Sequence, residues 1–363
     1  MPATLRSILG AAAFIAFVSM PAPARAQQTG EQVYRAACAT CHGPDGKGSP
    51  RAVVGFDAPL PDFSDCAFAT GEPDPDWYAV VHEGGRVRAL DRHMPAFGDA
   101  LSDGDIRLAI SHIRTFCPSR AWPRGDLNLP RAFFTEKAFP ENEAVWTMAV
   151  TGRDPSFEGE FIYERRLGAR NQVELAAPIS AYEDAAGKWT RGVGDLAIAF
   201  KRTLHADLTR GQISAAGLEV ILPTGNASRG LGNGYTVFEP FAMWGQALPR
   251  NSFLQVHAGL ELPSDSSAAK EGFVRSAIGT TFAADRGFGR AWSPQLEVLW
   301  ARPEGAASEW DVVPQLQVTL PKLQHVMLAT GVRVPITQRS ERRAQALVYL
   351  LWDWFDGGFF QGW

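Results

Sequence analysis

From residue 143 onward the chain alternates apolar and polar residues with a period of two, in about twelve segments of roughly 8 to 14 residues. Between Glu309 and Leu320, Val312, Leu316, Val318 and Leu320 alternate with Asp311, Gln315, Gln317 and Thr319. Ala346, Val348, Leu350, Trp352 and Trp354 do so against Gln345, Tyr349 and Asp353. Phe157, Phe161 and Tyr163 face Glu158, Glu160 and Glu164, and Leu218, Val220 and Leu222 bracket Glu219. No run of 18 apolar residues exists, so a transmembrane helix is excluded. One apolar and one charged face suits a transmembrane barrel with lipid outside and water inside. A soluble β-sandwich shows the same alternation with its faces exchanged. Connection lengths favour the barrel: tight ones such as Gly168 to Arg170 and Pro249-Arg250 alternate with longer polar ones such as Ala181 to Gly192 and Pro223 to Gly234. An even strand number puts both ends of the barrel on the short-turn, periplasmic side. The lumen is expected to present Glu158, Glu160, Glu174, Asp195, Glu219 and Asp311. These carboxylates either admit cations or pair with Arg and Lys across the lumen.

The N-terminus has the grammar of export. Arg6 precedes an apolar run from Ile8 to Met20, and Ala24-Arg25-Ala26 is a small-x-small cleavage site, giving a mature start at Gln27. Residues 1–26 are therefore read as a signal peptide, 27–118 as a first domain, 119–142 as a linker with Pro123, Pro130 and Pro140, and 143–363 as the barrel. Export places the cysteines in an oxidising compartment. With 45% apolar and 20% charged residues the chain can bury a core, and a net charge of −4 argues against nucleic acid as a partner.

Cys38-Ala39-Thr40-Cys41-His42 is a C-x-x-C-H pattern. Two thiols three positions apart add across the two vinyl groups of one haem, and the adjacent His ligates the iron from below. A redox disulfide or half a zinc site are the other readings of such a pair. No second pair is spaced for zinc, and the flanks are Gly-rich loop rather than βαβ. One haem c, covalently attached, is the expected cofactor. For the second axial position Met94 is the one Met between the motif and residue 148, and Pro95 keeps it extended on a loop. His82, His93 and His112 compete with it. Helices are expected over Glu31–Ala39, Asp74–His82 and from a Ser102 cap to about Phe116, the last with Ile106, Ala109, Ile110 and Ile113 on one face. Cys66 and Cys117 form a candidate disulfide; their spacing does not establish that they meet.

Over residues 28–118 these features resemble class I c-type cytochromes: Cys38, Cys41, His42, the Gly43–Gly48 loop, the Met94-Pro95 loop and the closing helix. That resemblance implies one-electron transfer at haem iron held by His42 and Met94. Gly194-Asp195-Leu196-Ala197-Ile198 and Leu222-Pro223-Thr224-Gly225 resemble transporter-type outer-membrane barrels of phenol-degradation pathways. The whole chain resembles fused cytochrome–porins, with a smaller barrel than those fusions have. The expected fold class is thus multidomain: a small all-α c-type cytochrome followed by an antiparallel transmembrane β-barrel of about 12 strands.

The expected function is single-electron transfer in the bacterial outer membrane, between the barrel or cell exterior and a periplasmic redox carrier, with the cytochrome on the periplasmic side. Outer-membrane lipid and an extracellular electron donor such as ferrous iron are the other expected partners. A pore or solute transporter with an accessory cytochrome is the alternative. Residues 27–120 hold 9 Lys and Arg against 13 Asp and Glu, so the carrier would dock through a basic face. No nucleophile triad, zinc cluster or phosphate-binding Gly-rich motif is present, and no enzyme activity is expected.

Overall fold

A computed structural model describes residues 28–58, 60–88, 90–152, 156–183, 187–282, 291–320 and 326–353. The expected signal-peptide cleavage site lies outside the described residues. Helix α1 (Gly30–Ala37) starts at a capping box in which Thr29 and Gln32 bond each other's backbone, and it buries Val33 and Tyr34. Four-residue helices α2 (Ala39–His42), α3 (Arg51–Val54) and α4 (Cys66–Ala69) follow, then α5 (Asp74–Glu83) and α6 (Asp103–Ile113). Helix α6 begins at the Ser102 and Asp105 capping box and buries Ile106, Ala109, Ile110 and Ile113, the face its i, i+3, i+4, i+7 spacing predicts. A 3-10 turn over Arg114–Phe116 extends it.

Cys66 and Cys117 are joined in a disulfide with their Cα atoms 5.3 Å apart, tying α4 to the end of the last helix. Closing a loop with a separation of 51 residues removes denatured-state entropy equivalent to about 4 kcal/mol. Replacing both cysteines with Ser is expected to lower the unfolding free energy of the helical domain by that amount, and its midpoint in urea accordingly, read by visible absorbance. An unchanged midpoint would show that the bridge adds nothing to folding.

Thirteen strands follow: β1 (Glu143–Thr151), β2 (Ser156–Leu167), β3 (Asn171–Glu183), β4 (Trp189–Val193), β5 (Ala197–Asp207), β6 (Gln212–Ile221), β7 (Val237–Leu248), β8 (Ser252–Pro263), β9 (Glu271–Thr280), β10 (Trp292–Pro303), β11 (Glu309–Thr319), β12 (Val326–Pro335) and β13 (Gln345–Asp353). Every pairing is antiparallel. Twelve of these strands close into a ring, because β1 pairs with β13 on one side and β2 on the other, while β3 pairs with β5. Strand β4 lies outside the ring as an edge on the far end of β3, within the stretch read from sequence as the loop Ala181–Gly192. The next ring strand starts at Ala197, after Asp195 turns its carboxylate to the backbone N–H groups of Gly225 and Asn233. The β7–β8 hairpin turns over Pro249 to Asn251, with Arg250 and Asn251 both at positive φ.

The faces of the strands separate barrel from sandwich. On β5, Ile198, Phe200 and Leu204 are exposed outward, whereas Ala199, Lys201 and Thr203 are buried inward. Trp146, Phe161, Leu175, Leu218, Ile278 and Leu350 are likewise exposed on the outside. A sandwich would bury Phe200 and expose Lys201. An apolar exterior around a polar interior is the arrangement of a barrel surrounded by lipid. Among the described residues no helix is long and apolar enough to cross a membrane.

The interior is occupied by this chain itself. The Pro-rich segment after the helical domain turns into the ring and fills its core. Leu127, Ala138 and Phe139 pack with Ala199, Ile213, Ala215, Phe241 and Met243. Phe133 packs against Tyr349, ring centres 5.0 Å apart, and lies close over Gly331, where a Cβ would come within 2.9 Å of its ring. Read as a plain connector, residues 119–142 are instead, from about residue 127, an internal plug. Three prolines exclude regular structure without excluding burial, and the density of apolar residues between Leu127 and Phe139 is the signal that marks it.

Candidate functional site: the haem-attachment cradle and the plugged lumen

Helix α1 runs directly into the C-x-x-C-H motif. The Cys38 N–H donates to the Tyr34 carbonyl at 2.8 Å and the His42 N–H to the Cys38 carbonyl at 2.9 Å, so both thiols and the imidazole ride on consecutive helical turns. The Tyr34 hydroxyl donates to the Gly43 carbonyl at 2.6 Å and pins the turn that follows His42. Gly43 has φ +76° and could not hold that turn with a side chain without strain. Cys38 is buried, Cys41 is half-buried, and neither is in a disulfide. Burial and the neighbouring Cys41 push the Cys38 thiol up to about 11.

His42 stacks on Phe63 with ring centres 4.9 Å apart, and burial holds its imidazole below the usual histidine range. Its Nδ1 is buried without a hydrogen-bond partner. A neutral, desolvated imidazole is the form that ligates a metal. Together with two unpaired thiols one helical turn away, it fits covalent haem with His42 as the proximal ligand.

Met94 sits on the loop after Asp91. Gly84 and Gly85 end α5 and let that loop come close: a Cβ on Gly85 would lie 3.1 Å from the Met94 Cβ, and the Gly85 N–H donates to the Met94 carbonyl at 3.0 Å. Met94 packs against the cluster of Val81, Ile106 and Ile110, while Cys38 belongs to that of Tyr34, Phe63 and Ile113. Trp77 packs against both clusters and joins them.

The competing histidines are engaged elsewhere. His93 meets Asp91 Oδ1 at 2.6 Å and stacks on Phe56, His82 meets Glu83 Oε1 at 2.7 Å and stacks on Tyr78, and His112 packs against Tyr34 and Phe116.

Residues 25–113 match the family model described as cytochrome C oxidase, cbb3-type, subunit III. The match spans the C-x-x-C-H motif, Met94 and α6. No curated protein matches the chain. Among solved structures, an outer membrane channel from Pseudomonas putida F1 is similar at 13% identity and a TM-score of 0.44, covering 62% of this chain and 99% of its own. The KdgM porin covers 58% of this chain and 98% of its own at 8% identity and a TM-score of 0.41. The beta domain of the Bordetella autotransporter BrkA does so at 10% identity, 58% and 96% coverage, and a TM-score of 0.35.

The cytochrome domain is clamped to the barrel at its short-turn end. Arg114, at the end of α6, donates to Asp74 at 3.0 Å and to the carbonyls of Ala69 and Glu72, and lies over Trp77. Arg124 bridges Asp74 and Asp126 at 2.7 and 2.9 Å. Arg170, in the β2–β3 turn, donates to the carbonyls of Ala121 and Arg120, and Arg166 of β2 lies over Trp122. The chain therefore enters the lumen at the end of the tight turns.

Inside, the plug is held by charge as well as packing. Arg131 donates to Glu143 and Glu164 at 2.7 and 2.6 Å, and Lys137 pairs with Glu141 and, at 3.0 Å, with Glu143. The buried Glu297 carboxylate accepts the backbone N–H groups of Phe133, Phe134 and Thr135 at 3.0, 3.1 and 2.7 Å. Tyr349 and Gln295 both donate to the Arg131 carbonyl.

Of the carboxylates expected in the lumen, Asp311 is paired with Arg333 and Arg342, and Asp195 accepts from the Gly225 and Asn233 N–H groups. Glu158 is exposed at the rim. Glu160, Glu174 and Glu219 line one cavity of about 440 Å³ beyond the plug, joined by Glu136 from the plug and Glu239 from β7. Sequence reading missed Glu136 and Glu239; the second sits on the inward phase of β7, next to Phe238, and was legible from that alternation.

Proposed function

We propose that this protein transfers single electrons in the outer membrane. Cys38 and Cys41 would hold one haem c through thioethers, and His42 and Met94 would hold its iron. When bound, haem iron supplies a one-electron couple, and a His/Met pair favours its ferrous form. The chain's own residues do the rest. Tyr34 and Gly43 fix the attachment turn, Phe63 orients the His42 ring, Gly84 and Gly85 admit the Met94 loop, and Trp77 closes the space between the two ligand clusters.

The observation that favours electron transfer over solute passage is the plug. The segment that follows the cytochrome domain occupies the barrel interior and is bonded to it on several sides, so it stands in the path a solute would take. In this reading the tight turns and the cytochrome face the periplasm. A periplasmic carrier with a basic face docks on the acidic domain, and an external donor such as ferrous iron approaches from the long-loop side. No bond-making chemistry on a substrate is assigned to the chain.

Reconstitution into liposomes with ferricyanide trapped inside is the test. Bleaching of the trapped oxidant by an external reductant, without loss of a co-trapped dye, is expected. Dye leakage without bleaching would support the pore reading instead.

The Met94→Ala variant is expected to keep covalent haem but to lose the sulfur-to-iron charge-transfer band of the oxidised protein and to fall in reduction potential. Persistence of the band would move the sixth ligand away from Met94.

A further inference from the structure

The register of the sheet lines up acidic residues around the lumen. Reading across the ladder from β13 to β7, directly opposed positions are Asp353, Glu143, Glu164, Glu174, Ala199, Glu219 and Glu239. The row climbs from the short-turn end at β13 and β1 to the long-loop end at β6 and β7. Neighbouring strands lie roughly 4.8 Å apart, so adjacent carboxylates on such a row repel one another.

The two halves of the row are treated differently. Glu143 and Glu164 are neutralised by Arg131 and Lys137 of the plug. Glu174, Glu219 and Glu239 have no cation within salt-bridge distance and no hydrogen-bond partner among the described residues. Glu174 and Glu239 are nevertheless only 7% and 6% exposed, and both line the cavity beyond the plug. Glu219 and Glu239 stand directly opposite each other. The cationic side chain on that wall, Arg275, donates to the Phe134 carbonyl and lies over the Phe273 ring, and it pairs with no carboxylate among the described residues.

Six carboxylates, Glu136, Glu160, Glu174, Asp195, Glu219 and Glu239, line this cavity against the two guanidiniums of Arg131 and Arg275, an excess of negative charge that favours a cation from outside the chain. The shape of the space decides which kind. Among the described residues no three His, Cys, Asp or Glu side chains converge closely enough to hold a metal ion. The cavity measures about 440 Å³, the size of a small-molecule site, and Phe133, Phe134 and Ile162 give it an apolar wall. The opposing carboxylates are spread roughly 5 to 10 Å apart along the row. In the other half of the same row the acids are met by a guanidinium and an ammonium on aliphatic stems. We propose that the lumen cavity binds a flexible organic polyamine, whose ammonium groups neutralise Glu174, Glu219 and Glu239 as Arg131 and Lys137 neutralise Glu143 and Glu164. This site does not depend on the electron-transfer reading, since it requires only the barrel and its plug.

Calorimetric titration of the purified full-length protein in detergent with spermidine tests it. Saturable binding of one spermidine per chain is expected. Affinity should fall at least about tenfold in the Glu219→Gln/Glu239→Gln double variant and in Glu174→Gln, because each removes a charge partner in a low-dielectric site. Heat-modifiable gel migration reports that each variant barrel is folded. Absence of saturable binding to the native protein overturns the proposal, and that titration decides by itself if a variant fails to fold. So does unchanged affinity in folded variants, and so does equal affinity for magnesium, which would mark a diffuse counter-ion atmosphere.

Discussion

Replacing residues 128–139 with a Gly/Ser segment of equal length is expected to turn a closed barrel into a conducting one. An eight-stranded barrel is filled by its own side chains and a sixteen-stranded one encloses a channel, so a ring of twelve leaves space that something must fill. Here Phe133, Phe139, Arg131 and Lys137 fill it. Discrete conductance steps in planar bilayers should be frequent for the variant and rare for the native protein. If native and variant conduct alike, the segment is not the block.

The single substitution Arg131→Ala probes the same element more finely. It leaves Glu164 without a cation and Glu143 with Lys137 alone, both carboxylates being about 1% exposed. Breaking a buried pair in this way costs roughly 3 to 5 kcal/mol. The plug should loosen before the barrel does, because twelve ladders of backbone hydrogen bonds hold the ring and do not pass through Arg131. Heat-modifiable migration should therefore persist in Arg131→Ala while conductance rises.

The second large effect concerns the attachment motif. In the Cys38→Ala/Cys41→Ala double variant, covalent haem should vanish altogether, read as loss of peroxidase staining on a denaturing gel. The barrel half should still migrate as a folded species, since none of its ladders involves residues before Glu143. Staining that survives in the double variant would overturn the assignment of these two thiols. Met94→Ala, by contrast, leaves both thioethers in place and should keep its stain. The two variants thus separate attachment from ligation.

Much of this was readable in one dimension. The C-x-x-C-H motif specifies its chemistry by spacing alone, because two thiols and an imidazole within five residues on a helix need no distant partner to be brought together. The α6 face and its Ser102 cap are local features of the same kind. The period-two alternation gave the strand number of the ring, and inward charge against outward Phe and Leu gave its sidedness. The extra strand β4 was missed because a short polar segment on the edge of a sheet has no buried face to produce a pattern.

What sequence could not show was where non-local partners end up. Cys66 and Cys117 are joined only because α4 and the end of α6 are folded against each other. Residues 119–142 read as a spacer, since prolines interrupt any periodicity, yet their charges find Glu143 and Glu164 and their backbone N–H groups find Glu297, on three separate strands. Local spacing determined the C-x-x-C-H turn and the inward–outward alternation of the strands, because both depend on neighbours a few residues apart. Only ring closure decided that the connector becomes a plug and that Glu174, Glu219 and Glu239 share one cavity, because strand register, not sequence distance, sets which side chains meet inside a barrel.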